Sequence, residues 1–165
     1  MAENMTKDSK LAADNSTTSL DDGKESPSIK ILGQYVKDLS FENPNAPGSL
    51  TTANPEISVT VNVGARPIVD QDFEVEIKLQ VKASKEAKAI FMTELSYCGI
   101  FRLQSVPENM LQPVLLIEGP RLLFPFARQV LADVTQNGGF PPVMLDPIDF
   151  TMLFQKRQGS SAAVN

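Results

Sequence analysis

The 165-residue chain has no histidine, no tryptophan and a single cysteine. Without histidine, the commonest general base and metal ligand are gone, and with them every Ser-His or Cys-His pairing. One cysteine cannot build an internal disulfide framework, which fits a reducing compartment. No stretch approaches the roughly 20 apolar residues of a membrane span. The opening MAENMTKDSKLAADNSTT lacks the apolar segment of a secretion signal. A phosphate-cradling GxxxxGK[ST] loop is missing, and no basic patch is dense enough for nucleic acid. These absences point to a cytoplasmic protein that is not an enzyme, inserts in no membrane and holds no metal.

What is present is an ordinary globular composition, 42% apolar and 21% charged, with a net charge of -5. Of that charge, six acids against three lysines over residues 1–29 give -3. Residues 1–28 are polar and nearly free of aromatics, so a disordered tail is expected there. The folded domain is expected over 29–157, with a flexible tail over 158–165.

Hydrophobic periodicity predicts four strands. The first covers about 29–40 and leads into a long crossing loop punctuated by Pro44, Pro47 and Gly48. In EISVTVNV, Ile57, Val59, Val61 and Val63 alternate with polar residues; DFEVEIKLQVKA does the same from Phe73 to Val81. AIFMTELSYCGIF, Ala89 to Phe101, is the fourth. Helices follow: one from Pro107 ending at Gly119, one from Pro120 to Gly138-Gly139 with a kink at Pro125, and a short one opened by Asp146 as N-cap with Asp149 at N3. Strands followed by helices give an α+β fold: a four-stranded antiparallel sheet packed on a long kinked helix, with a second short helix near the C-terminus.

Two sets of residues sit oddly in this scheme. In the fourth strand, Phe91, Thr93, Leu95 and Tyr97 share one face, leaving Met92 beside Glu94 on the other with Ile90, Ser96 and Cys98. In the first, Asp38, Ser40 and Glu42 share a face. An adaptable thioether beside carboxylates on an open sheet suits docking of a partner, although plain solvated strand residues look the same. Near the C-terminus, Phe150, Leu153 and Phe154 recur at helical spacing after the proline-stiffened NGGFPPVMLDP. They read either as core or as one wall of an apolar groove. Cys98 reads as inert, having no neighbour in sequence that would lower its pKa.

KDLSFENPNAP (37–47), CGIF (98–101) and LLFPFARQVLADVTQNGGFPPVMLDPIDFTMLF (122–154) together resemble the bacterial protein-export chaperones of the SecB family. The resemblance runs from about Ile31 to Phe154. It implies a cytosolic homotetramer, a dimer of dimers, that holds export-bound precursor polypeptides unfolded and delivers them to the SecA ATPase without ATP or cofactor of its own. Carried over residue by residue, the SecA contact falls on Asp38, Glu42, Met92 and Glu94, with methionine at 92 where the family has leucine. Thr93, Leu95 and Tyr97 match positions tied to assembly. The client groove is expected at Ile57, Val59, Val61, Phe140, Phe150, Leu153 and Phe154. Two other readings stay open: a SecB-like chaperone of a toxin–antitoxin pair, and a carrier that closes a compact pocket of roughly 300–1,000 Å³ over a small apolar ligand.

Overall fold

The computed structural model describes residues 26–162, and side chains to 159. Most of the tail expected over 1–28 lies outside the described residues. Four strands, β1 (Ser28–Glu42), β2 (Glu56–Val69), β3 (Asp72–Lys85) and β4 (Lys88–Gln104), form one antiparallel sheet in the order β1-β4-β3-β2. All three pairings are antiparallel, and β1 and β2 are the edges. The sheet then feeds three helical stretches in series, α1 (Glu108–Pro113), a π-helical turn (Val114–Glu118) and α2 (Gly119–Asn137), and finally α3 (Phe150–Ala162).

The strand pattern follows from alternation. Val75, Ile77, Leu79, Val81 and Ala83 of β3 are buried, as are Phe91, Thr93, Leu95 and Tyr97 of β4, and this inner face meets α2. Leu123, Ala127 and Leu131 of α2, at helical spacing, are fully buried against it. β2 runs to Val69, six residues beyond the alternating segment; Pro67 is tolerated there because an edge strand need not donate on both sides.

Three boundaries differ from expectation. No helix ends at Gly119, which keeps helical backbone (φ -53) and is buried. A Cβ there would stand 3.1 Å from Val75 Cγ2, so glycine serves close packing of helix on sheet and not termination. The π-helical turn carries the helix past Pro113 and Pro120. At the other end, residues 141–149 form no helix, and Asp149, not Asp146, caps α3: its Oδ1 accepts the Met152 N–H at 3.0 Å. Lastly, α3 continues to Ala162, five residues past the expected domain end at 157.

Candidate functional site

Two surfaces gather the residues singled out by sequence. The first is a trough along the inner side of edge strand β2. Its first hollow, about 1010 Å³, is lined by Leu50 of the crossing loop, Ile57, Val59 and Val61 of β2, Ile90 of β4, and Phe140 and Met144 beyond α2. A second hollow of about 360 Å³ lies beside Val61, Val63, Leu116, Leu153 and Phe154. A third, about 1190 Å³, follows along Ala65 and Pro67 with Phe73, Leu111, Phe154 and Arg157. Val61 borders the first two, while Leu116, Phe154 and Arg157 border the last two. The trough therefore follows β2 from Ile57 to Pro67, ten steps along the strand or roughly 33 Å. It is open: Ile57 is 45% exposed, Val59 42% and Met144 62%.

Local chemistry holds the walls. α2 stops at Gly138 and Gly139, the latter at φ 89, a conformation that favours glycine. The stop is tight, for a Cβ on Gly138 would fall 2.2 Å from Phe41 Cζ. Phe41, Phe91 and Phe140 cluster at the groove floor, where Phe91 and Phe140 line the hollow with centroids 4.8 Å apart. The buried Thr135 hydroxyl accepts the Val143 N–H at 3.0 Å and donates to the carbonyls of Leu131 or Ala132, tying the FPPV segment to α2. Opposite, Asn45 donates to the Ala89 carbonyl at 2.7 Å and anchors the crossing loop to β4.

The expected groove residues separate into three groups. Ile57, Val59, Val61 and Phe140 line the first hollow, and Leu153 and Phe154 line the second. Phe150 does neither. It is 2% exposed and meets Phe124 edge-on, with centroids 5.9 Å apart, so it seats α3 on α2. Ile90 is a residue that alternation misplaces. It was expected on the outer face, but a bulge shifts the β3–β4 register between Ala83 and Ser84, leaving Ile90 unpaired, 4% exposed and lining the groove.

The outer sheet face is the second surface. Asp38 pairs with Ser96, Ser40 with Glu94 and Glu42 with Met92, so the four partner-face residues lie on adjacent strands within one patch. Asp38, Glu42 and Glu94 are exposed and Met92 half-buried. Gln80 donates to Glu94 Oε1 at 2.5 Å, and Lys78 and Lys82 of β3 border the patch opposite Ser96 and Met92. The neighbouring Thr93, Leu95 and Tyr97 are 0%, 1% and 8% exposed. Thr93 Oγ1 donates to the Ser40 carbonyl at 2.7 Å. All three side chains are buried within the single chain. Exposed apolar groups lie beside them instead, at their cross-strand partners Val36 and Leu39 and on α2 at Leu122 and Phe126.

Sequence reading missed a carboxylate on this outer face. Glu74, expected in solvent, is 3% exposed. It accepts hydrogen bonds from Arg66 Nε and Tyr35 OH, and Lys37 Nζ stands 3.4 Å away. The Arg66 bond, then the Tyr35 bond, hold the carboxyl at about 2 against an ordinary 4.5, and Glu74 in turn pushes Tyr35 up to about 12. Beneath them Cys98 is fully buried, its thiol raised to about 11 by burial first and then by Glu74 and Glu76; it is inert, as expected. Since the folded state depresses the Glu74 pKa, its contribution to stability is full above pH 4.5 and is lost as pH falls towards 2. Glu74→Gln should therefore flatten the acid limb of the stability profile over that window, measured by urea unfolding at successive pH values.

Residues 22–161 match the family described as preprotein translocase subunit SecB. The chain belongs to the SecB family. The protein-export protein SecB of Xanthobacter autotrophicus is 56% identical over 133 residues, covering 79% of this chain and 85% of that protein. Its namesake in Azorhizobium caulinodans is 52% identical, covering 82% and 86%. Among solved structures, the Mycobacterium tuberculosis Rv1957 SecB-like chaperone, in complex with a ChAD peptide from the HigA1 antitoxin, superposes with a TM-score of 0.63 over 73% of this chain and 90% of that one. Its identity is 14%, a likeness of fold. Among the described residues no helix is long and apolar enough to cross a membrane, and no cluster of metal-ligating side chains occurs.

Proposed function

We propose that this SecB-family protein is an export chaperone of the cytoplasm. It holds precursor polypeptides unfolded in the β2 trough and passes them to the SecA ATPase, making and breaking no covalent bond. The observation that carries this reading is the open apolar trough beside an edge strand. An unfolded chain exposes apolar side chains and unpaired backbone groups together. A groove with hydrophobic hollows along a strand edge can take both without reading a defined sequence. The hollows adjoin along one strand and their apolar walls stay exposed, which favours an extended polypeptide over a small molecule enclosed in one pocket. The export role, and not the toxin–antitoxin role, is supported by relatives half identical over most of the chain and named for protein export. Ile57, Val59, Val61, Phe140, Leu153 and Phe154 would meet the client.

Val36, Leu39, Leu122 and Phe126 would meet other copies in a tetramer, with Thr93, Leu95 and Tyr97 packing beneath and setting the shape of that interface. Light scattering should give four times the mass of the chain. The outer acidic patch, Asp38, Glu42 and Glu94 around Met92, would meet SecA. The test of function as a whole is refolding of a urea-denatured precursor: the protein should arrest it, and SecA should relieve the arrest. Asp38→Lys combined with Glu94→Lys should weaken SecA binding by at least about tenfold at low salt and reduce its salt dependence, with arrest of refolding unchanged. Calorimetric titration at two ionic strengths reads both effects. Unaltered SecA affinity would remove the acidic patch from that role.

A further inference from the structure

The acids of the outer face depend on an irregularity in β1. Val36 pairs with Tyr97 and Asp38 with Ser96, so Lys37 is an extra residue with no partner on β4. Because strand faces alternate, one inserted residue exchanges every side chain beyond it. Tyr35, opposite Cys98, points to the outer face. A regular strand continuing from Tyr35 would turn Leu39 and Phe41 outward and drive Asp38 and Glu42 towards α2. With the bulge, Phe41 goes inward, 5.7 Å from Phe91 and 6.3 Å from Phe140 between centroids, and both acids come out.

One carboxylate holds the inserted residue and the strand just before it. The Tyr35 hydroxyl donates to Glu74 Oε1, and Lys37 Nζ lies 3.4 Å from Glu74 Oε2. Glu74 stands on β3, so both side chains reach across β4 above the buried Cys98. From the far edge, Arg66 of β2 donates to the same carboxylate. A buried carboxylate is costly unless paired, and this one is paired from both edges of the sheet at once. Of the residues lining the trough's hollows, Arg66 of the third touches it, and those of the first two do not. We propose that Glu74 is a positioning residue for partner docking: it locks the bulge at Lys37 and so fixes the phase in which Asp38 and Glu42 are presented. This rests on the reading of the acidic patch as the SecA face.

The full-length Glu74→Gln protein, measured for hydrogen–deuterium exchange over residues 36–42, SecA affinity and arrest of precursor refolding, decides the matter. Exchange in that segment should rise and SecA binding should weaken about fivefold, with arrest unchanged. A purely structural role would instead lower both activities together. Tyr35→Phe removes one hydroxyl and keeps the charge; it should shift exchange and SecA affinity the same way by about twofold, and it decides the question if Glu74→Gln does not fold. Unchanged exchange, or faster exchange with parental SecA affinity, overturns the proposal. Asp38→Lys with Glu94→Lys runs alongside: if that pair leaves SecA affinity intact, the docking reading itself fails and takes this proposal with it. If that pair weakens SecA binding and Glu74→Gln does not, only the positioning role is lost.

Discussion

Replacing Ile57 and Val59 together with aspartate is expected to weaken retention of an unfolded precursor about a hundredfold while leaving the fold intact. Each side chain offers apolar surface whose burial against a client is worth on the order of 1–2 kcal/mol, and each new carboxylate must also be desolvated under the bound chain. Two such losses compound to a hundredfold or more. The fold tolerates the change because both residues are about half exposed on an edge strand, at 45% and 42%. Refolding arrest and circular dichroism on the same sample separate the two effects. The same substitutions at Ser58 and Thr60, on the other face of β2, should leave retention within about twofold of the parent.

Phe150→Ala should act in the opposite order, on stability first. The ring is 2% exposed and packs edge-on to Phe124, so truncation leaves a cavity between α3 and α2. Large-to-small changes of this kind cost about 3–5 kcal/mol, visible as a lower urea midpoint. The loss should concentrate in α3, which would exchange its amide hydrogens faster than β3 does. Met152, in the same helix but 52% exposed, serves as the control. Met152→Ala should change stability by no more than about 0.5 kcal/mol. Retention by Phe150→Ala should fall only as far as Leu153 and Phe154 leave the trough wall with their helix.

These two results bear on how far the molecule could be read from its residues. The four strands, their antiparallel order and the inner face of β4 are direct consequences of period-two patterning. The C-terminal stop of α2 follows from Gly138-Gly139. Less was legible where one residue breaks the period. Ile90 and the Asp38–Glu42 segment both lie next to bulges, and alternation has no means of locating an inserted residue. Asp38, Ser40 and Glu42 share one face by period two wherever the strand begins, but which face it is depends on the bulge: alternation carried on from Tyr35 would turn them inward. Gly119 resembled a stop because composition cannot distinguish a glycine at a helix end from one pressed against Val75. Asp146-Pro147 offered a cap signature stronger than that of Asp149, yet no helix forms before Phe150.

The candidate site shows a similar division. Ile57, Val59 and Val61 reach the groove because they are the inner face of an edge strand that no helix covers completely. Phe150, Leu153 and Phe154 looked equivalent by spacing, but which aromatic seats a helix depends on what lies under it, here Phe124. Glu74 gave no signal at all, since a glutamate alternating with Phe73 and Val75 looks solvated. Its burial comes from Tyr35, Lys37 and Arg66 on strands distant in sequence.

The most direct measurement places a photo-reactive amino acid, one position at a time, at Ile57 and Phe140 in the trough, at Thr60 on the outer face, and at Phe150 in the core, then irradiates with an unfolded precursor bound. Adducts at Ile57 and Phe140, with few at Thr60 and Phe150, are the predicted outcome. Adducts concentrated at Thr60, or none in the trough while precursor refolding is still arrested, would contradict the account.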